Sequence, residues 1–231
     1  MMRAASARPS GFWRLRAGNA TRFRLLFLAI FVFEAAPVAA AEVDDDANAP
    51  RAREPLVEQP VARPLASPRN DIPGVSNLAE VAPGLWRSAQ PDAVGFKNLA
   101  AMGIKTVVSL RRLHSDRRMM RGLGLRYRHI HFAPWRAEQE DVVAFLKIAT
   151  DPRNQPVLVH CQHGADRTGT MVAIYRVTVQ GWAMSEAMQE LPRFGFHFIW
   201  HNLRMYLEHL NVTALREQVA AAPMPSLSVV P

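Results

Sequence analysis

Residues 157–169 read VLVHCQHGADRTG. Val157, Leu158 and Val159 form a short apolar, mostly β-branched run after Pro156, the pattern of a buried strand. From Thr168 the sequence TGTMVAIYRVTVQG is almost wholly apolar for three turns and stops at Gly181, so a buried helix is expected there. The loop between them must lie at the carboxyl end of a strand and the amino end of a helix. Its successive N–H groups and the helix dipole converge on one spot, which suits a phosphate-like dianion. Gly164 and Gly169 are expected to let the backbone curl there. Arg167 offers a planar fork that grips two anion oxygens at once. Cys161 is the only cysteine of the 231 residues. Set in that positive field it is expected to ionise readily, and a thiolate held against a bound phosphate monoester is a nucleophile aimed at phosphorus.

Around this stretch the chain alternates strands and helices. Residues 85–88 and 105–110 read as strands. Between them Pro91 opens a helix whose Phe96, Leu99 and Met102 share a face before Gly103 ends it. Residues 126–132 alternate as a further strand, and residues 138–150 give an amphipathic helix through Val142, Phe145, Leu146 and Ala149. After the helix that ends at Gly181, Ser185 looks like the cap of a short helix running to Leu191, and residues 200–210 form another. This order predicts an α/β domain with a mainly parallel central sheet and helices on both faces.

His160, Cys161, Gly164, Arg167, Thr168 and Gly169 resemble the signature loop of the cysteine-dependent protein tyrosine and dual-specificity phosphatases. Upstream, WRSAQPDAVGFKNLAAMGIKTVVSLR at residues 86–111 is similar to the amino-terminal half of compact bacterial envelope phosphatases of this class. The resemblance spans roughly residues 77–210 and implies a dual-specificity-phosphatase-like fold. It also implies phosphoric monoester hydrolysis through a phosphocysteine intermediate. Cys161 would attack phosphorus, and Arg167 would hold the equatorial oxygens as they gain charge. Thr168 would help the thiolate leave, or cap the helix. Gln162, His163, Gly164, Ala165, Asp166 and Arg167 would bind the phosphate, Gln162 and His163 lining the mouth, while His160 would order the loop. Phosphoproteins are the expected substrate, phosphotyrosine first and phosphoserine or phosphothreonine after it. Inositol phosphates or phosphoinositides, and a catalytically impaired module that binds phosphoresidues, are the alternatives. Residues 162–166 contain no lysine of the kind that serves polyphosphorylated rings.

The sequence departs from the family at the general acid. The family supplies an aspartate on a loop roughly thirty residues before the cysteine, yet RYRHIHFAPWRAEQED at residues 126–141 has no aspartate before Asp141. Glu138, Glu140 or Asp141 could reach in. Asp166 could act from within the loop, an arrangement resembling that of the myotubularin lipid phosphatases, or could be a structural carboxylate paired with Arg167 or an amide. No metal or cofactor is expected, since one cysteine and scattered histidines match no ligand spacing.

The amino terminus predicts export. Residues 1–24 hold six arginines and no acid. Residues 25–33 are apolar, and Ala39 and Ala41 make a small-x-small site before Glu42. The apolar core is about nine residues, short of the roughly twenty needed to span a bilayer. Residues 1–41 are therefore read as a signal peptide, with an uncleaved anchor as the alternative, and the mature protein is expected in the periplasm or cell envelope. With them leave six arginines and Glu34, so the formal charge drops from +8 to +3. That removes the compositional case for nucleic-acid binding. Membrane association is expected only if the segment stays uncleaved. Residues 42–73, rich in proline with Asp44, Asp45 and Asp46, read as a disordered linker. Residues 74–211 read as one catalytic domain, expected to be monomeric, and 212–231 as a frayed helix with a disordered end.

Overall fold

The VLVH run lies inside a six-stranded sheet, flanked on both sides by parallel neighbours. The computed structural model describes residues 63–231. The expected signal peptide and most of the expected linker, residues 42–62, lie outside the described residues. In chain order the elements are β1 (Ala79–Ala82), β2 (Leu85–Ser88), α1 (Ala93–Ala101), β3 (Thr106–Ser109), β4 (Arg126–His129), α2 (Gln139–Thr150) and β5 (Val157–His160). Then follow α3 (Asp166–Thr178), α4 (Met184–Met188), a 3-10 turn (Pro192–Phe194), α5 (His201–Glu208), α6 (Val212–Ala221) and β6 (Ser228–Val229).

The sheet order is β1-β2-β5-β3-β4-β6. The four inner strands are parallel, and β1 and β6 add antiparallel edges. The mainly parallel α/β architecture is thus as expected. Alternation along the strands divides the core in two. Val107, Leu158 and Tyr127 pack with Phe96 and Leu99 of α1, while Val108, Val157 and Val159 pack against α2, α3, α5 and α6. Strand β5 is buried along its whole length and α3 is buried almost all round, which explains why both read as continuous apolar runs.

Several expectations change. Met102 is 39 % exposed, outside the face shared by Phe96 and Leu99, because α1 ends at Ala101. Helix α3 begins two residues earlier than expected, at Asp166. Ser185 does not cap α4; Ala183 stands at the cap, where its N–H donates to Glu186 Oε2 at 2.9 Å. Within residues 212–231 the expected helix is present as α6, but the end beyond it is not disordered. Asn211 caps α6 through a bond from the Ala214 amide, and β6 pairs with β4. Leu215 and Val230 are buried, so apolar burial orders a segment whose sequence shows little periodicity. Residues 63–73, the end of the expected linker, run against the domain through Arg69–Leu78 backbone bonds and an Ala66 amide donating to Glu190. Glu190 also pairs with Arg176 of α3 at 2.6 Å, both side chains buried. A buried pair of this kind is costly to break, and it ties α3 to the segment after α4.

Candidate active site

Strand β5 ends at His160 and the chain turns over Cys161–Ala165 into α3, so the cysteine stands at the carboxyl edge of the sheet under the helix's amino end. Cys161 is 2 % exposed at the floor of this loop, and Gln162 and His163 stand out at its rim. Gly164 has φ +68°. A Cβ there would lie 2.5 Å from the Ala89 amide and 2.6 Å from Ser88, so only glycine lets the loop lie against β2. Gly169 is different: it sits inside α3 with ordinary helical geometry, and its lack of a Cβ makes room for Leu191. The curl is thus owed to Gly164 alone.

Beneath the loop lies a layer that the sequence did not announce. Arg87 of β2 is fully buried, donates to the Gly164 carbonyl at 2.8 Å and lies over the Phe194 ring at 3.5 Å. Burial lowers its tendency to hold a proton, while the charges of Glu190 and Cys161 favour the cation. His160 is fully buried and faces away from the cleft; its Nδ1 donates to the Cys161 carbonyl at 3.3 Å. Its Nε2 lies 3.0 Å from Asp116 Oδ2, close in distance but off the line of a well-aligned hydrogen bond. Asp116, also buried, accepts from Gln90 at 2.6 Å and from the Tyr127 hydroxyl at 3.2 Å. Burial pushes the Asp116 carboxyl up. The neighbouring His160, at 3.0 Å, and the Gln90 side-chain amide outweigh it and hold the group below the usual carboxylate range. Gln90 and Arg111 are bonded to each other through their side chains, and the Gln90 backbone N–H donates to the Gln162 backbone carbonyl at 3.3 Å, which carries this network up to the rim.

Above the loop opens a cleft of about 270 Å³ lined by Pro134, Gln162, His163, Asp166, Arg167, His197, Ile199 and Trp200. Arg167 is anchored through Nη1 to the Leu110 carbonyl at 3.1 Å. Thr168 Oγ1 is buried and bonds to no described atom, an unsatisfied hydroxyl of the sort that marks a working position. Asp166 is the one carboxylate of the lining. It accepts from the His197 amide at 2.7 Å, and His197 Nδ1 lies 3.2 and 3.1 Å from its two oxygens. It does not pair with Arg167, and the bond to an amide is the structural role weighed for it above. Glu138, Glu140 and Asp141 do not line the cleft. Glu138 faces Arg136 at 3.4 Å, Glu140 borders a separate hollow beside α6, and Asp141 is half-buried, its carboxyl raised by that burial and by Glu138. The 126–141 segment contributes Pro134 to the cleft instead.

The structure thus gathers Gln162, His163, Asp166 and Arg167 around one cavity, with Cys161, Gly164 and Ala165 in the buried loop, Thr168 in the first turn of α3 and His160 below them. Arg87, Gln90, Asp116 and His197 were missed. The stretch at residues 86–91 held the signal for Arg87 and Gln90, whereas no local pattern marks Asp116 or His197.

A sequence profile described as the tyrosine phosphatase family matches residues 74–225. The dual specificity protein phosphatase TpbA of Pseudomonas aeruginosa is 36% identical over 121 residues, 52% of this chain and 55% of the relative. The chain therefore spans about half the length of that curated relative. The inositol diphosphatase DSP3 of Arabidopsis thaliana is 26% identical over 153 residues, covering 62% of this chain and 73% of the relative. Among solved structures, the crystal structure of P. aeruginosa TpbA superposes with a TM-score of 0.60 at 31% identity, covering 68% of this chain and 96% of that one. A TpbA variant in complex with pTyr matches at TM-score 0.60 and 30% identity, over 68% of this chain and 97% of that one.

Proposed function

The chain belongs to the tyrosine phosphatase family, and on that premise we propose that it hydrolyses phosphoric monoesters on proteins, phosphotyrosine first, through a phosphocysteine intermediate. The observation that carries this reading is Cys161 at the floor of the loop between β5 and α3, with Arg167 in the first turn of that helix. The sulfur attacks phosphorus, so a P–S bond forms as the ester P–O bond breaks and the leaving oxygen takes up a proton. Water then attacks phosphorus, the P–S bond breaks, and thiolate and inorganic phosphate remain. Arg167 and the loop amides hold the three equatorial oxygens where charge develops. The unsatisfied Thr168 hydroxyl is suited to donate to sulfur as it departs.

Two features rank phosphotyrosine ahead of polyphosphorylated rings. Pro134, Ile199 and Trp200 give the cleft apolar walls that match an aryl ester, and residues 162–166 carry no lysine. The inositol diphosphatase relatives support the alternative substrate class. A panel of phosphopeptides, p-nitrophenyl phosphate and inositol polyphosphates, assayed for phosphate release, separates the two. Faster turnover of inositol polyphosphates would overturn the ranking, and no release from any substrate would favour a binding module.

The reading places the protein in the cell envelope as a monomer whose partner is the phosphorylated substrate. The support is the sequence of residues 1–41; among the described residues, no helix is long and apolar enough to cross a membrane. A mature amino terminus at Glu42, read by mass spectrometry, is the expected outcome, and a terminus retaining residues 1–41 would favour an anchor.

A further inference from the structure

The 3-10 turn and the segment after it are held beside the phosphate loop and the first residue of α3. Asn77 donates from one side-chain nitrogen to the carbonyls of His163 and Phe194, both at 3.0 Å, and Asp166 accepts from the His197 amide at 2.7 Å. This brings a histidine ring into the lining of the cleft to which the 126–141 segment, where the family's aspartate is lacking, contributes Pro134. His197 Nδ1 faces both oxygens of Asp166. Its Nε2, on the far side of the ring, bonds to no described residue, and the side chain is 55% exposed.

We propose that His197 is the catalytic residue that protonates the leaving oxygen, with Asp166 as its positioning residue. The inference rests on the phosphatase reading of the same cleft. Asp166 fixes the ring orientation and keeps the proton of Nδ1 engaged, which leaves Nε2 to serve the substrate, the division of labour by which a carboxylate commonly orients a histidine. In the first step the imidazolium gives its Nε2 proton to the ester oxygen as that P–O bond breaks and the P–S bond forms. In the second, the neutral Nε2 takes a proton from the attacking water as the P–S bond breaks, so the histidine returns to its starting state. The groups facing the ring are Asp166 from α3, His163 from the loop with ring centroids 6.1 Å away, and Arg167 across the same cleft. Gln162, the remaining polar lining residue, carries no charge.

The test is a leaving-group series on the purified protein, from p-nitrophenyl phosphate to phenyl and alkyl phosphates, with the pH profile of kcat/KM. His197→Asn keeps a side-chain N–H for Asp166. It should slow alkyl phosphates about 10²-fold or more beyond whatever it does to p-nitrophenyl phosphate, the scale of general-acid catalysis. It should also flatten the basic limb of the profile. Asp166→Asn should give the same pattern in weaker form. His197→Gln serves as the second variant should the first fail to fold. A uniform slowing of all substrates by His197→Asn would overturn the proposal. So would a leaving-group dependence that steepens with Asp166→Asn or Asp141→Asn alone. A parent protein that releases phosphate from no member of the series would overturn the phosphatase reading itself, an outcome distinct from either.

Discussion

Arg87 Nη2 donates to the carbonyl oxygen of Gly164 at 2.8 Å from beneath the phosphate loop, so a buried cation on β2 holds that carbonyl turned inward. With the oxygen drawn into the core, the amides of the loop are free to face the anion. Nε and Nη1 of Arg87 bond to no described atom, and the stacking on Phe194 accounts for much of what keeps the group in place.

Arg87→Lys should therefore destabilise the fold and weaken phosphate binding together. Lysine cannot lie flat on Phe194 and reach Gly164 as well. The loss expected in a urea titration is about 2 kcal/mol, typical of a hydrogen bond with one charged partner. A raised KM for p-nitrophenyl phosphate should accompany it. An unchanged midpoint with unchanged KM would reduce Arg87 to a filler of space.

The two glycines of the loop region should respond differently to alanine. Gly164→Ala meets backbone at 2.5 Å and a positive φ, so the loop must distort, and turnover should be lost with a stability cost of about 1–3 kcal/mol. Gly169→Ala crowds the Leu191 Cδ2 at 2.9 Å, the end of a flexible side chain, with its other neighbours at ordinary contact distance, and gains helix propensity of about 1 kcal/mol. It should fold and retain activity. Equal losses in both variants would mean that the α3 to Leu191 contact is as rigid as the loop.

Cys161→Ser should abolish turnover and keep phosphate-ester binding, because the hydroxyl does not ionise while the amide nest and Arg167 remain. Arg167→Ala should lose both, since it removes the fork as well as the transition-state charge partner. Isothermal titration with vanadate or phosphotyrosine, beside a phosphate-release assay, distinguishes the two. Hydrolysis by Cys161→Ser near the parent rate would rule out the phosphocysteine route.

Asp116 gives the fold an acid-sensitive post. Its carboxyl is held below the range of an unfolded aspartate, mainly by His160 and Gln90 acting against burial. Because the folded value is the lower one, the contribution is fully present above the unfolded value near 3.9 and is lost as pH falls through the folded value. Asp116→Asn should cost about 1–3 kcal/mol near neutrality by unsettling a buried network. The gap between parent and variant in urea midpoint should then narrow below about pH 4, where the parent loses the same charge. A gap that stays constant into the acid would exclude this linkage.

Much of the molecule was legible from local pattern. Strand β5, the loop of Cys161 and helix α3 were readable because a buried parallel strand and a buried helix both demand unbroken apolar runs, and Cys161, Gly164 and Arg167 stand at fixed offsets between them. The same logic placed β2, α1 and α2, where Phe96, Leu99, Phe145 and Leu146 keep their period. Element ends were less legible: Met102 and Ser185 have the right residue type but fall beyond a helix end or past its cap, which neighbouring packing decides.

The tertiary structure alone decided which distant groups meet at the loop. Arg87 looks in sequence like one polar residue of a short strand, and only the placement of β2 beside β5 turns it under Gly164. Asp116 lies in a stretch without periodicity, and it becomes part of the site because the chain brings it to His160. His197 reaches the cleft because Asp166 and Asn77 pin the segment that carries it, thirty-one residues after Asp166. Beyond the expected helix, the end of residues 212–231 became an edge strand because β4 offered an unpaired edge and the core offered burial to Val230. Periodicity records the burial of one element at a time; side-chain pairs between elements depend on sheet order and loop paths, which no local window contains.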